Sequence, residues 1–211
     1  MIVSKDMRSQ LSAIGSQGQR QSCLSFAASA AHEQFAGTGA PFSVEHLFYH
    51  AVQRMPGADP AAGTNFSATQ TALAVDGQPC EAAWPYQLQQ PDPCKWTPPV
   101  HAFPINRCGL QPVSADMATI VKHLDAGRPT VLGLIITDAF YRTGTDGRLP
   151  SSPSDPERAG HAVLAVGYGE ISGLCSILIR NSWGIQWGMA GHAWLGQSYL
   201  EHQLVEAAIT R

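Results

Sequence analysis

The chain has 211 residues, 44% of them hydrophobic and 14% charged, and a net charge of −3. That length buries most of its apolar surface, and the weak acidic balance argues against a nucleic-acid binder working through a basic field. The longest strongly apolar run, Val131-Leu132-Gly133-Leu134-Ile135-Ile136, is far too short for a membrane span, which takes about 18 residues.

The predicted elements divide the chain into two textures. Ser22 is a good N-cap for a first helix, in which Leu24, Ala27, Ala28, Ala31 and Phe35 recur at helical spacing before Gly37 supplies a stop. A second helix follows Ser43. A third is expected from about Ser67 to Val75, ahead of Gly77. Six prolines between Pro85 and Pro104 mark a loop or crossover, because proline suits neither helix interiors nor central strands. A fourth helix is expected from about Ala115 to Ala126, capped by Ser114 and stopped by Gly127. Strands are expected at Val131–Ile136, His161–Gly167, Ile177–Arg180 and His192–Leu195, with a loop over Pro150–Gly160.

The first helix places Cys23 in its opening turn. A helix N-terminus presents unpaired N–H groups and a partial positive charge, both of which favour a thiolate. Gln17 lies in the loop before it, where an amide N–H can join the Cys23 backbone N–H to form an oxyanion hole. Far downstream come Gly160-His161-Ala162-Val163 and Asn181-Ser182-Trp183-Gly184-Ile185-Gln186-Trp187-Gly188. An imidazole accepts the thiol proton, and an Asn after a strand holds the other ring N–H and fixes the tautomer.

At these residues the sequence resembles the papain family of cysteine peptidases. His161 follows Cys23 by 138 residues and Asn181 follows it by 158, close to the family spacing of about 130–150. Gly63-Thr64-Asn65-Phe66 and Ala83-Trp84-Pro85-Tyr86 look like the family's middle segments, in the style of its bacterial members. The resemblance implies an α+β, two-lobed fold in a single catalytic domain over residues 1–211. A mainly helical lobe (about 15–100) would carry Cys23, and a mainly β lobe (about 101–211) would carry His161 and Asn181, with the cleft between them. It implies Cys23 as nucleophile, His161 as general base and acid, Asn181 as orienting group, and Gln17 with the Cys23 N–H as oxyanion hole. Trp183 would cover the His161–Asn181 pair. Gly63, Thr64, Gly160 and Trp183 are the substrate-binding candidates.

The departures from the pattern are local. Arg20 stands where the family has its first Cys, so the neighbouring disulfide cannot form. Gln21 replaces a glycine on the cleft wall, and Leu24 replaces a Trp. With no apolar leader at Met1-Ile2-Val3, a reducing, cytoplasmic compartment is the expectation, and the other thiols (Cys80, Cys94, Cys108 and Cys175) are expected to be reduced. No metal or cofactor is implied. His46 and His50 are four apart on a helix but lack the Glu of a metalloprotease motif, so they read as a partly buried pair. The expected partner is a protein or peptide substrate, with no nucleic acid or membrane. With only sixteen residues ahead of Gln17, control by a regulatory or inhibitory partner is also considered. The rival functions are another acyl transfer on the same scaffold (deamidase, isopeptidase or transpeptidase) and a silent peptide-binding module.

Overall fold

Alternation in three central strands decides where the two halves of the core lie. In β3 (Thr130–Thr137), β4 (Glu157–Ile171) and β5 (Leu174–Arg180), successive side chains point to opposite faces. Leu132, Leu134, Ile136, Val163, Ala165, Ile177 and Ile179 form one cluster, and Val131, Ala162, Leu164, Val166 and Leu178 belong to the other. A sheet apolar on both faces must be covered on both. The computed structural model, which describes residues 1–100, 104–149 and 155–211, shows how.

One face carries the helices of the first half. α1 (Cys23–Ala36) lies against it with Leu24, Ala27, Ala28 and Ala31; the three alanines let the helix approach closely. α2 (Val44–Val52) and α3 (Phe66–Val75) complete that layer through Leu47, Ala51, Ala72 and Leu73. The opposite face is closed by α4 (Met117–Asp125) and by α6 (Gln197–Gln203), through Ile120, Leu124, Tyr199 and Leu200. The strands are antiparallel in the order β2-β7-β3-β4-β5-β6, with β1 (Ile2–Asp6) paired to β4. Here β2 is Leu110–Val113, β6 is His192–Gly196 and β7 is Leu204–Thr210. This is an α+β architecture of helices packed with an antiparallel sheet.

Several expectations shift in detail. The third helix starts at Phe66, one residue before the expected Ser67, and Asn65 caps it, its Oδ1 accepting from the Ala68 N–H. Asp116 rather than Ser114 caps the fourth, accepting from the Thr119 N–H. β4 starts at Glu157, so the end of the expected Pro150–Gly160 loop is strand; residues 150–154 lie outside the described residues. Pro112 sits in β2, the terminal strand of the sheet order, where a missing N–H can face solvent. Among the described residues no helix is long and apolar enough to cross a membrane, and no cluster of three or more His, Cys, Asp or Glu is arranged to hold a metal. The His46 and His50 rings pack together with centroids 4.4 Å apart. All five cysteines are free thiols.

Candidate active site

Cys23 is the first residue of α1, half-buried at the point where the helix end meets β4. Ser22 precedes it as expected, but its hydroxyl does not cap the helix; it bonds the Tyr86 hydroxyl at 2.7 Å. The backbone N–H groups of Ala162, Leu24 and Cys23 itself lie around the sulfur. These favour the thiolate, yet burial outweighs them and pushes the isolated thiol up from its ordinary value.

His161 stands one residue before Ala162 on β4 and is buried. Its Nε2 lies 2.8 Å from Asn181 Oδ1. That Asn181 oxygen also accepts from the Ser182 N–H at 2.8 Å, which fixes it as an acceptor. His161 Nε2 therefore carries the proton, and Nδ1 is left with its lone pair, the state a general base needs. Burial lowers the His161 imidazole to about 4, partly offset by Asn181. Trp183 packs on the ring with centroids 4.8 Å apart. Phe140 packs on both His161 and Trp183 at 5.5 and 5.3 Å. Tyr141 stacks on the outer face of Trp183 at 5.2 Å. Phe140 and Tyr141 come from α5 (Asp138–Tyr141), a short helix with no clear sequence signature.

Gln17 is buried beside the N-terminus of α1. Its Oε1 accepts from Ser182 Oγ at 2.7 Å, and its Nε2 donates to the Arg20 carbonyl at 2.7 Å. A primary amide has two N–H groups, so one remains for another acceptor. The Gln17 backbone N–H donates to the Ser182 carbonyl at 2.7 Å, tying the loop before the helix to the loop after β5. Ser182 thus links Gln17 to Asn181, which bonds His161, and Cys23, His161 and Ala162 line one cavity; neither Ser182 nor Ala162 was given a role from the sequence.

A cavity of about 480 Å³ opens beside Cys23, a size that suits a side chain or small ligand. Cys23, His161, Gly63, Thr64 and Gly160 line it, with Gln21 on the rim of the helix loop. Gly63 has φ +75°, and a Cβ there would come within 3.1 Å of the Gln21 carbonyl, so the wall needs glycine. A Cβ on Gly160 would meet nothing within 4 Å. Trp183, grouped above with the substrate-binding candidates, is not among the residues that line this cavity; it packs on His161. The inner wall is Phe66, Gly133, Leu134 and Ala162, closed by Val205 and Glu206 of β7. Among the described residues, Glu206 is the one charged side chain lining it. The sequence reading missed it, because β7 shows no polar–apolar alternation around Glu206.

Comparison with known proteins agrees with this geometry. A family model described as papain family cysteine protease matches residues 3–209. Thiol protease aleurain of Arabidopsis thaliana is 31% identical over 208 residues, covering 89% of this chain and 54% of that protein. Pro-cathepsin H of Bos taurus is 29% identical over 184 residues, covering 85% and 54%. The chain spans about half the length of these curated relatives. Among solved structures, xylellain, a cysteine protease from Xylella fastidiosa, superposes with TM-score 0.77 at 21% identity, covering 100% of this chain and 91% of that one. Digestive procathepsin L 3 of Tenebrio molitor gives 0.78 at 22%, covering 98% and 68%. The chain belongs to the papain family of cysteine proteases.

Proposed function

We propose that the chain is a cysteine peptidase that hydrolyses peptide bonds through an acyl-enzyme on Cys23. The observation that carries this reading is the tautomer of His161: Asn181 Oδ1 holds the Nε2 proton and leaves Nδ1 as the base. In that scheme His161 Nδ1 takes the Cys23 proton and the sulfur attacks the scissile carbonyl. The oxyanion accepts from the Cys23 backbone N–H and from the remaining Gln17 N–H. His161 returns its proton to the leaving amine, then draws a proton from the water that deacylates the enzyme. Trp183, Phe140 and Tyr141 keep water from the His161–Asn181 bond.

The substrate is a protein or peptide cleaved internally. Among the described residues the cavity lining offers no cation to hold a C-terminal carboxylate, which argues against carboxypeptidase action. Gly63, Thr64 and Gly160 would run beside the substrate backbone, and the Glu206 end of the cavity would receive a side chain. Free thiols throughout, with Arg20 in place of a disulfide cysteine, fit a reducing, cytoplasmic setting. The procathepsin neighbour supports control by an inhibitory segment or partner that fills the cleft. The test is mass spectrometry of an internally quenched peptide after incubation with wild type and Cys23→Ala. Two fragments from wild type alone support the reading. An intact peptide heavier by about one dalton would replace it with deamidation.

A further inference from the structure

Arg20 is the residue that breaks the family pattern nearest the nucleophile, and its side chain is buried. Its guanidinium makes a two-pronged pair with Glu45 of α2, Nη1 to Oε2 at 2.6 Å and Nη2 to Oε1 at 2.8 Å. Nη1 also donates to the Gln87 carbonyl at 2.7 Å, and Nε donates to Gln90 Oε1 at 2.9 Å. The Glu45 carboxylate is fully buried and accepts in addition from Trp96 Nε1 at 2.6 Å and the Gln87 N–H at 3.0 Å. The guanidinium carbon lies 5.1, 4.9 and 5.6 Å from the ring centroids of Phe48, Tyr86 and Trp96.

A buried ion pair gives stability only when its remaining donors and acceptors are met; an apolar pair of similar volume often does as well. Here four of the five guanidinium N–H groups and both carboxylate oxygens have partners, and the pair sits at a point where position matters. The Arg20 carbonyl is the acceptor that holds Gln17 Nε2. The Tyr86 hydroxyl, whose ring lies against the guanidinium, donates to the Gln17 carbonyl at 2.9 Å. Anchoring the Arg20 side chain to α2 and to the 84–96 segment therefore fixes the backbone that aims the second Gln17 N–H.

We infer that Arg20 and Glu45 are positioning residues for the oxyanion hole, acting through Gln17. They form a staple that holds the loop without a disulfide and is indifferent to reductant. Resting on the peptidase reading, this adds to it a pair of residues that touch neither substrate nor nucleophile.

The test uses the double variant Arg20→Met with Glu45→Leu, which removes both charges while keeping bulk, together with Trp96→Phe, which removes one bond to Glu45. Three quantities are read: kcat on an internally quenched peptide, the affinity of a peptide nitrile, and the rate of Cys23 alkylation by iodoacetamide. The nitrile adds the thiol across its C≡N bond, with sulfur bonding carbon and the proton going to nitrogen, and that nitrogen occupies the oxyanion position. Alkylation needs no such site.

The expectation for the double variant is a thermal midpoint near wild type with kcat and nitrile affinity both lower by about 10- to 100-fold. Alkylation should stay within about threefold, since the nucleophile is untouched. Trp96→Phe should show the same split at about 3- to 10-fold, and it decides the matter if the double variant does not fold. Folded variants with unchanged kcat and nitrile affinity would overturn the inference, as would alkylation falling in step with nitrile affinity. Wild-type cleavage of the peptide reports separately on the peptidase reading.

Discussion

Gln17 and Ser182 are joined twice, backbone N–H to carbonyl at 2.7 Å and hydroxyl to side-chain amide oxygen at 2.7 Å. The first bond sets the height of the helix loop against the β half. The second fixes the Gln17 amide with its oxygen on Ser182 and its nitrogen on the Arg20 side, leaving one N–H to donate. Gln17→Ala should lower kcat by about 10²- to 10³-fold, the usual effect of losing one oxyanion donor. Ser182→Ala should lower it by about tenfold, because the donor survives but loses its guide. Steady-state kinetics on one peptide checks the order. A Ser182→Ala effect as large as that of Gln17→Ala would mean the hydroxyl acts on substrate directly.

Asn181 holds His161 by a single bond, while Trp183 and Phe140 hold the ring by packing. Asn181→Ala should therefore reduce kcat less than His161→Ala, because the ring keeps part of its orientation. Members of such a unit are non-additive, so the double variant should resemble His161→Ala alone. Additive losses measured on the same substrate would contradict a shared role.

Glu206 gives the cavity beside Cys23 a negative end in an otherwise uncharged lining. A peptide placing Lys or Arg there should lose about three- to tenfold in kcat/KM on Glu206→Gln, a modest effect because the carboxylate is exposed and screened. A peptide with Leu at that position should be unaffected. Equal losses for both peptides would remove the electrostatic explanation.

Acid should weaken the fold through two imidazoles away from the nucleophile. Burial holds His46 and His192 neutral, each lowered from 6.5 to about 4. Between those values the unfolded chain takes up protons that the folded chain refuses. Their contribution is thus complete above pH 6.5, is lost as pH falls toward 4, and is flat below. Each group adds a slope of up to about 1.4 kcal/mol per pH unit. Urea midpoints at pH 7 and pH 4.5 should differ more for wild type than for a folded His192→Gln variant. An identical pH dependence would show that His192 is already protonated in the native state.

The parts of the fold legible in the sequence were those set by local chemistry. α1 is Ala-rich, starts after Ser22 and stops at Gly37 in a left-handed conformation, so the place of Cys23 followed directly. β3 and β5 announced themselves as short apolar runs. β2 was hidden by Pro112, and β7 by Glu206 and two alanines, because their pairing is made by residues far away in the chain. The cap of α4 was misplaced because Ser114 and Asp116 are both good caps, and only the latter's Oδ1 reaches the Thr119 N–H. Cys23, His161 and Asn181 were readable as motifs. The Arg20–Glu45 pair was not: one member stands where the family has a cysteine, and the other belongs to no motif.

The central claim is that Cys23 and His161 work as one unit, with the proton passing from sulfur to Nδ1. Burial penalises either charge alone, raising the thiol and lowering the imidazole to about 4. Opposite charges formed together offset each other, and the Ala162 N–H and the helix end favour the thiolate. The direct measurement is the rate of Cys23 alkylation by iodoacetamide against pH, read by peptide mass spectrometry, in wild type and His161→Ala. Paired, Cys23 in wild type reacts rapidly well below pH 7. In the variant the reaction moves to above the ordinary thiol value of 9.0, because the buried thiol has lost its proton acceptor. Coincident profiles for the two proteins, both rising only at alkaline pH, would contradict the account.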